Sequence, residues 1–194
     1  DYRQNHRPSD ITYSGVFNDE SGLNNLNEFN LGLVNFKSLE ESFGAIQVMD
    51  SRETDVLVLQ EDKISYVLQG KNLLSDAAGG GDIASVPEVL GTQIARTEQY
   101  GISNNPESYV QYGLDKFFID EKRGAVLRLT GQDTSAEKLT VISELGLRSF
   151  FRDVFNGQGP AKLVGTPQNS SLGAATPSSI TPFTQKLGGY DPYM

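Results

Sequence analysis

The chain has 194 residues, enough for one domain with a real core or for two small ones. It contains no cysteine, which excludes a disulfide framework and thiolate chemistry, and its net charge of −9 opposes any grip on the phosphates of DNA or RNA. Twenty glycines and eight prolines fit a turn-rich β protein. No run approaches the ~20 apolar residues of a membrane span, and no signal peptide opens the chain. The chain begins at Asp1 and closes on Gly188-Gly189-Tyr190-Asp191-Pro192-Tyr193-Met194. Those ends predict a piece processed or excised from a longer polypeptide.

Residues 1–10 are polar and hold the single histidine, His6, so an extended arm is expected. Residues 11–17 alternate weakly, as an edge strand would. Residues 18–30 are rich in Asn, Asp, Ser and Gly and read as a loop with Asx turns. Residues 38–42 suit one helical turn, 45–49 a short strand, and 50–54 a polar turn.

A hairpin follows. Asp55 leads into Val56-Leu57-Val58-Leu59, the turn is Gln60-Glu61-Asp62-Lys63, and the return runs from Ile64 to Gly70. Four apolar residues without polar alternation predict a strand covered on both faces. Sixty residues on, Asp115 leads through Phe117-Phe118-Ile119 to a charged turn, residues 120–124, and a return that alternates from Ala125 to Gly131. Asp55 aligns with Asp115, and Ile64, Tyr66 and Leu68 with Ala125, Leu127 and Leu129. Two readings stand: stacked β-units of a propeller-like array, or two ordinary hairpins that look alike.

Between the hairpins, residues 71–108 read as a long connector, with a flexible tip at Ala77-Ala78-Gly79-Gly80-Gly81-Asp82, a short helix start near Pro87, and a turn at Asn105-Pro106-Glu107-Ser108. Residues 109–113 and 139–142 supply the outer strands of the second unit. Leu147, Phe150, Phe151, Val154 and Phe155 then fall at helical spacing and predict an amphipathic helix stopped by Asn156-Gly157. Residues 157–184 read as an extended strap, and Tyr190-Asp191-Pro192-Tyr193 as the opening of a third unit. The expected organisation is therefore an arm, edge strand and loop (1–44), a first blade-like meander (45–70), a connector (71–108), a second meander with the helix (109–156), and a strap leading to a next unit (157–194). The fold class is mainly β, with propeller-like antiparallel meanders, one short helix and long loops.

Chemistry is sparse. A Ser-His-Asp triad must draw on His6 in a polar arm, and no Gly-x-Ser-x-Gly elbow exists. Gly79-Gly80-Gly81 lacks the Lys-Ser/Thr of a phosphate loop. Asp50, Glu53 and Asp55 offer oxygens for calcium without EF-hand spacing. Two carboxylate pairs, Asp120 with Glu121 and Glu61 with Asp62, fit the needs of a glycosidase, yet both sit in charged hairpin turns beside Lys or Arg. Lys122 and Arg123 are expected to pair with Asp120 or Glu121. No catalytic, cofactor-binding or metal-binding residue is assigned.

Several phrases in order resemble large structural proteins of tailed bacteriophages, including the propeller-bearing tail nozzle or muzzle proteins of crAss-like phages. They are Gln60-Glu61-Asp62-Lys63 with Gly70-Lys71-Asn72-Leu73-Leu74, Val89-Leu90-Gly91-Thr92-Gln93, Tyr100-Gly101-Ile102-Ser103, Asn105-Pro106-Glu107-Ser108, Phe118 through Asp120 to Lys122-Arg123-Gly124, Arg148-Ser149-Phe150-Phe151-Arg152-Asp153, and Gly188-Gly189-Tyr190-Asp191-Pro192. The likeness runs from about Ile11 to the end. It implies a non-enzymatic virion component around the tail or neck axis. Its partners would be other virion proteins, copies of itself and further segments of a longer parent, without specific nucleic-acid binding, a membrane span or a cofactor. Family members are much longer, and two blade-like units fall short of the four to eight of a closed propeller. The expectation is that other segments or chains cover residues 56–59 and 117–119. The rival readings are a glycan-binding or glycan-cleaving propeller acting on the host surface, and an extracellular adhesion module.

Overall fold

A computed structural model describes residues 5–29, 35–75, 81–131, 137–144 and 187–191. The predicted helix at 147–155 and the strap at 157–184 lie outside these. The described residues are mainly β, in antiparallel sheets, and the chain divides into two compact units, 1–97 and 98–194.

The first unit is built on a four-stranded meander of β5 (Ile46–Ser51), β6 (Asp55–Gln60), β7 (Ile64–Ser75) and β8 (Gly81–Ala95), in that spatial order. The 71–108 connector is thus corrected over much of its length. Residues 71–75 prolong β7, and residues 81–95 return beside them as a fourth strand, including the stretch around Pro87 that reads as a helix start. The Gly-rich stretch before β8 reads as a linker in the sequence and so hid this pairing. The pairing also skips register between Val67 and Lys71. Gly91 sits at this irregularity, where a Cβ would collide with the Lys71 carbonyl oxygen.

Opposed residues in the register define the two faces of the β6–β7 hairpin. Val56 faces Val67 and Val58 faces Ser65 on one side; Asp55 faces Leu68, Leu57 faces Tyr66 and Leu59 faces Ile64 on the other. Leu57, Val58, Leu59, Ile64 and Val67 are all fully buried. The prediction of a strand covered on both faces therefore holds for β6. β7 is covered in the same way, since Ile64 through Leu68 are buried throughout.

What covers the Val58 face belongs to this chain. Before the meander lie β1 (Asp10–Thr12), β2 (Phe17–Asn18), β3 (Leu23–Asn24) and β4 (Phe36–Ser38); β1 pairs with β4, and β2 with β3. Ile11 of β1 and Leu39 after β4 pack with Val58, Val67 and Leu90 into one buried cluster. Of the two expected coverings, other segments or other chains, this face has the first, from the chain's own N-terminal residues. Beside that apolar cluster a polar network closes the layer. Gln60 Nε2 donates to the carbonyls of Glu40 (3.1 Å) and Gly44 (2.8 Å), while Gln93 Nε2 donates to Gln60 Oε1 (3.1 Å) and Ser65 Oγ (2.9 Å). The Glu40 amide donates back to Gln93 Oε1 at 2.8 Å. Buried amide groups are tolerated when each is satisfied in this way. The expected helical turn near 38–42 is a 3-10 turn at Glu41–Phe43.

The second unit is another four-stranded meander: β9 (Val110–Tyr112), β10 (Asp115–Asp120), β11 (Ala125–Thr130) and β12 (Lys138–Val141). A 3-10 turn, Pro106–Ser108, precedes it as expected. Here burial alternates. Lys116, Phe118, Asp120, Ala125, Leu127 and Leu129 share the buried face, whereas Phe117, Ile119, Val126 and the exposed Arg128 share the other.

The residue-for-residue match of the two hairpins needs correcting. The first turns through the two residues between Gln60 and Lys63, the second through the four between Asp120 and Ala125, with Gly124 at a left-handed φ of 63°. Ile64 faces Leu59, and Val126 faces Ile119, so Ile64 corresponds to Val126 rather than Ala125. The second loop is longer by two residues where the alignment of Ile64 with Ala125 allows one, so every opposed pair falls one place further along the return strand and each aligned side chain there joins the other face.

Candidate functional site

The carboxylates singled out in the sequence are engaged inside the fold. Asp120 is fully buried. Its Oδ1 accepts from Ser103 Oγ (2.9 Å) and the Arg123 amide (3.1 Å); its Oδ2 accepts from the Gly101 amide (3.1 Å) and Arg123 Nη1 (2.8 Å). The predicted Asp120–Arg123 pair is therefore present. Ser103 sits at φ 54°, unusual for a side-chain-bearing residue, and its hydroxyl both donates to Asp120 and accepts from the Lys122 amide at 3.0 Å. Asp120 thus pins the 101–103 loop onto the hairpin turn. A carboxylate filled by four donors and sealed from water is a poor general acid or nucleophile.

Glu61 and Asp62 lean on the Glu41–Phe43 turn. The Ala45 amide donates to Glu61 Oε1 at 3.3 Å, and the Asp62 amide donates to the Phe43 carbonyl at 3.0 Å. Of the calcium candidates, Asp55 is buried and bound by Arg52, whose Nε lies 2.6 Å from Oδ1. The Arg52 guanidinium covers the Tyr66 ring at 4.6 Å, and Tyr66 accepts a hydrogen bond from Arg96 Nη1 at 2.8 Å. Among the described residues no three His, Asp or Glu side chains gather to hold a metal ion. His6 is exposed on the rim of an open cleft of about 860 Å³ shared with Ser9, Glu41 and Glu61, but Ser9 Oγ is turned to the Gly44 carbonyl at 3.2 Å. Gly79 and Gly80 lie outside the described residues, and Gly81 opens β8.

The unusual surfaces are apolar. Thirteen large hydrophobic side chains are exposed among the described residues, and five of them, Val16, Phe17, Leu23, Leu26 and Phe29, fall within one stretch of 14 residues. Residues 16–17 were expected to end an edge strand and residues 18–30 to form a loop. The stretch is a thin β arm: Gly15 donates to the Glu28 carbonyl (3.0 Å), Asn25 donates to the Val16 carbonyl (3.2 Å), and β2 pairs with β3 beyond them. At the tip Asn18 Oδ1 accepts from the amides of Glu20 (3.0 Å) and Ser21 (3.2 Å), an Asx turn. Phe17 opposes Asn24 and Asn18 opposes Leu23, so strand alternation sets Phe17 on one face and Val16 with Leu23 on the other. The signal was available in these side chains, set among Asn and Gly at spacings that match no helix and no long strand.

The second unit has a smaller exposed patch. Tyr190 stacks on Tyr112 with ring centroids 4.3 Å apart, and Gly188 donates to the Glu107 carbonyl at 2.9 Å. Residues 187–191, which include the Tyr190-Asp191 expected to open a third unit, lie against the β9 edge of their own unit. Hydrogen bonding to Tyr112 raises the Tyr190 phenol above its ordinary value.

No protein-family model, curated protein or solved structure matches this chain. The class its coordinates define is a mainly β protein of antiparallel meanders.

Proposed function

We propose that this chain is a structural assembly component rather than an enzyme, and that it serves in the virion of a tailed bacteriophage, at a tail or neck nozzle-like position, as the sequence resemblance implies. The observation that carries the assembly reading is the arm: five large apolar side chains held in water by a two-stranded ribbon too thin to have a core of its own. Such a surface becomes favourable when a neighbour covers it. A four-stranded antiparallel meander is also the unit from which propeller blades are made, and the chain has two, which fits the propeller-bearing proteins that its sequence resembles.

A host-glycan propeller is the second reading. It is weakened by the internal commitment of Asp120, its best acid candidate. Mass spectrometry of intact, density-purified phage particles tests the proposal. Peptides from both units are expected at a fixed number of copies per particle. Absence of the chain from particles, or release of reducing ends from host polysaccharide that Asp120→Asn abolishes, would reverse it.

A further inference from the structure

Charge is divided unequally between the two units. Residues 1–97 hold fifteen acidic and seven basic side chains, a net −8, whereas residues 98–194 hold ten acidic and nine basic, a net −1. The arm is the extreme case. Between Gly15 and Phe29 every charged residue is acidic: Asp19, Glu20 and Glu28. Asp19, Glu20 and Glu28 are exposed around the apolar side chains. We infer that the arm is a plug for a different protein, one presenting an apolar slot rimmed by lysines or arginines.

Three observations select that occupant. Apolar side chains on both faces of the ribbon, Phe17 against Val16 and Leu23, need walls on two sides, so a slot buries them and a flat patch does not. Carboxylates at both ends of the apolar stretch, Asp19 and Glu20 at the tip and Glu28 at the base, are complementary to a basic rim and add steering to the encounter. The same charges oppose the likeliest competitors: the acidic first unit of a second copy repels the arm, and so does an anionic lipid surface.

The inference rests on the assembly reading, and the experiment separates the two. Phe17, and in a second version Leu23, is replaced by a photo-reactive benzophenone amino acid in the complete assembly, with the exposed Glu53 as the control position. Cross-linked peptides are sequenced. The expected result is one partner chain, not this one, with lysines or arginines flanking the cross-link, and a yield about tenfold lower when Asp19→Lys and Glu20→Lys are introduced together at low salt. Cross-links to a second copy, to lipid, to a peptide without basic neighbours, or to nothing, overturn the inference, as does a yield unchanged by charge reversal. If the chain is present at fixed stoichiometry and the cross-links go elsewhere, only this inference falls. If the chain is absent from the particle, both fall. Because both positions are exposed, the double variant Phe17→Ser/Leu23→Ser is expected to fold normally and to lose association about tenfold or more.

Discussion

The two meanders begin alike and are buried differently. Asp-Val-Leu-Val-Leu-Gln in β6 loses both faces to the interior, and Asp-Lys-Phe-Phe-Ile-Asp in β10 loses one. Their opening aspartates diverge in the same way. Asp55 is buried and clamped by Arg52, while Asp115 meets Arg128 at 2.6 Å on a half-wet face, where Arg128 also lies 5.9 Å from the Phe117 ring. The lesson is that strand length and a leading acid do not set the environment: β10 buries Lys116 and Asp120 with Phe118 and leaves Phe117 and Ile119 on the less buried face, and the alternation that tells the two faces apart is carried by its partner β11.

Core truncations break this comparison most sharply. Phe118→Ala is expected to cost about 3–5 kcal/mol and Phe117→Ala only about 1 kcal/mol, because only Phe118 is sealed. In β6 the neighbours should not separate that way: Leu57→Ala at about 2–5 kcal/mol and Val58→Ala at about 1.5–3 kcal/mol are both heavy losses. Denaturant unfolding of the four variants decides the matter. A cheap Val58→Ala would show that the N-terminal strands do not cover that face.

Next come the polar fastenings. Asp120→Asn keeps the shape and removes the charge that Arg123 and Ser103 address, an expected loss of about 1.5–3 kcal/mol. Gln60→Leu takes one donor from each of the Glu40 and Gly44 carbonyls, which keep the Phe43 amide and the Ser9 hydroxyl, and removes one Gln93 contact, for about 1–3 kcal/mol. Thermal melts check both, and a Gln60→Leu protein as stable as the parent would remove the network from the account.

The smallest effect sharpens the exposed side of the comparison. Hydrogen bonding from Arg128 holds the Asp115 carboxyl below its ordinary value of 3.8. A depressed carboxylate stabilises the fold above the unfolded value, and that contribution fades as pH falls through the lower folded value. Arg128→Ala should return the Asp115 titration, followed by NMR, toward 3.8 and flatten stability across that acidic window.

Much of the strand content was readable. Val56-Leu57-Val58-Leu59 announced a doubly covered strand, the alternation from Ala125 to Thr130 announced a singly covered one, and Pro106-Glu107-Ser108 announced a turn. Three things were hidden for physical reasons. The fourth strand of the first meander was hidden by the Gly-rich stretch before it and by register shifts, which spoil any simple alternation. The covering of Val58 came from Ile11 and Leu39, two isolated residues far away in sequence. Asp120 looked like a turn charge, and its four-donor setting depends on the 101–103 loop folding back onto it, which no local pattern encodes. The arm was half visible: its Asn and Gly residues gave the turns, and its apolar side chains, without a periodic partner, gave the surface.

The most direct test of the assembly account is incorporation of Phe17→Ser/Leu23→Ser into particles, counted by quantitative mass spectrometry beside the melting temperature of the purified chain. The account requires an unchanged melt, because both side chains are more than half exposed, and a fall in copies per particle of about tenfold or more. Normal incorporation with an unchanged melt would contradict it.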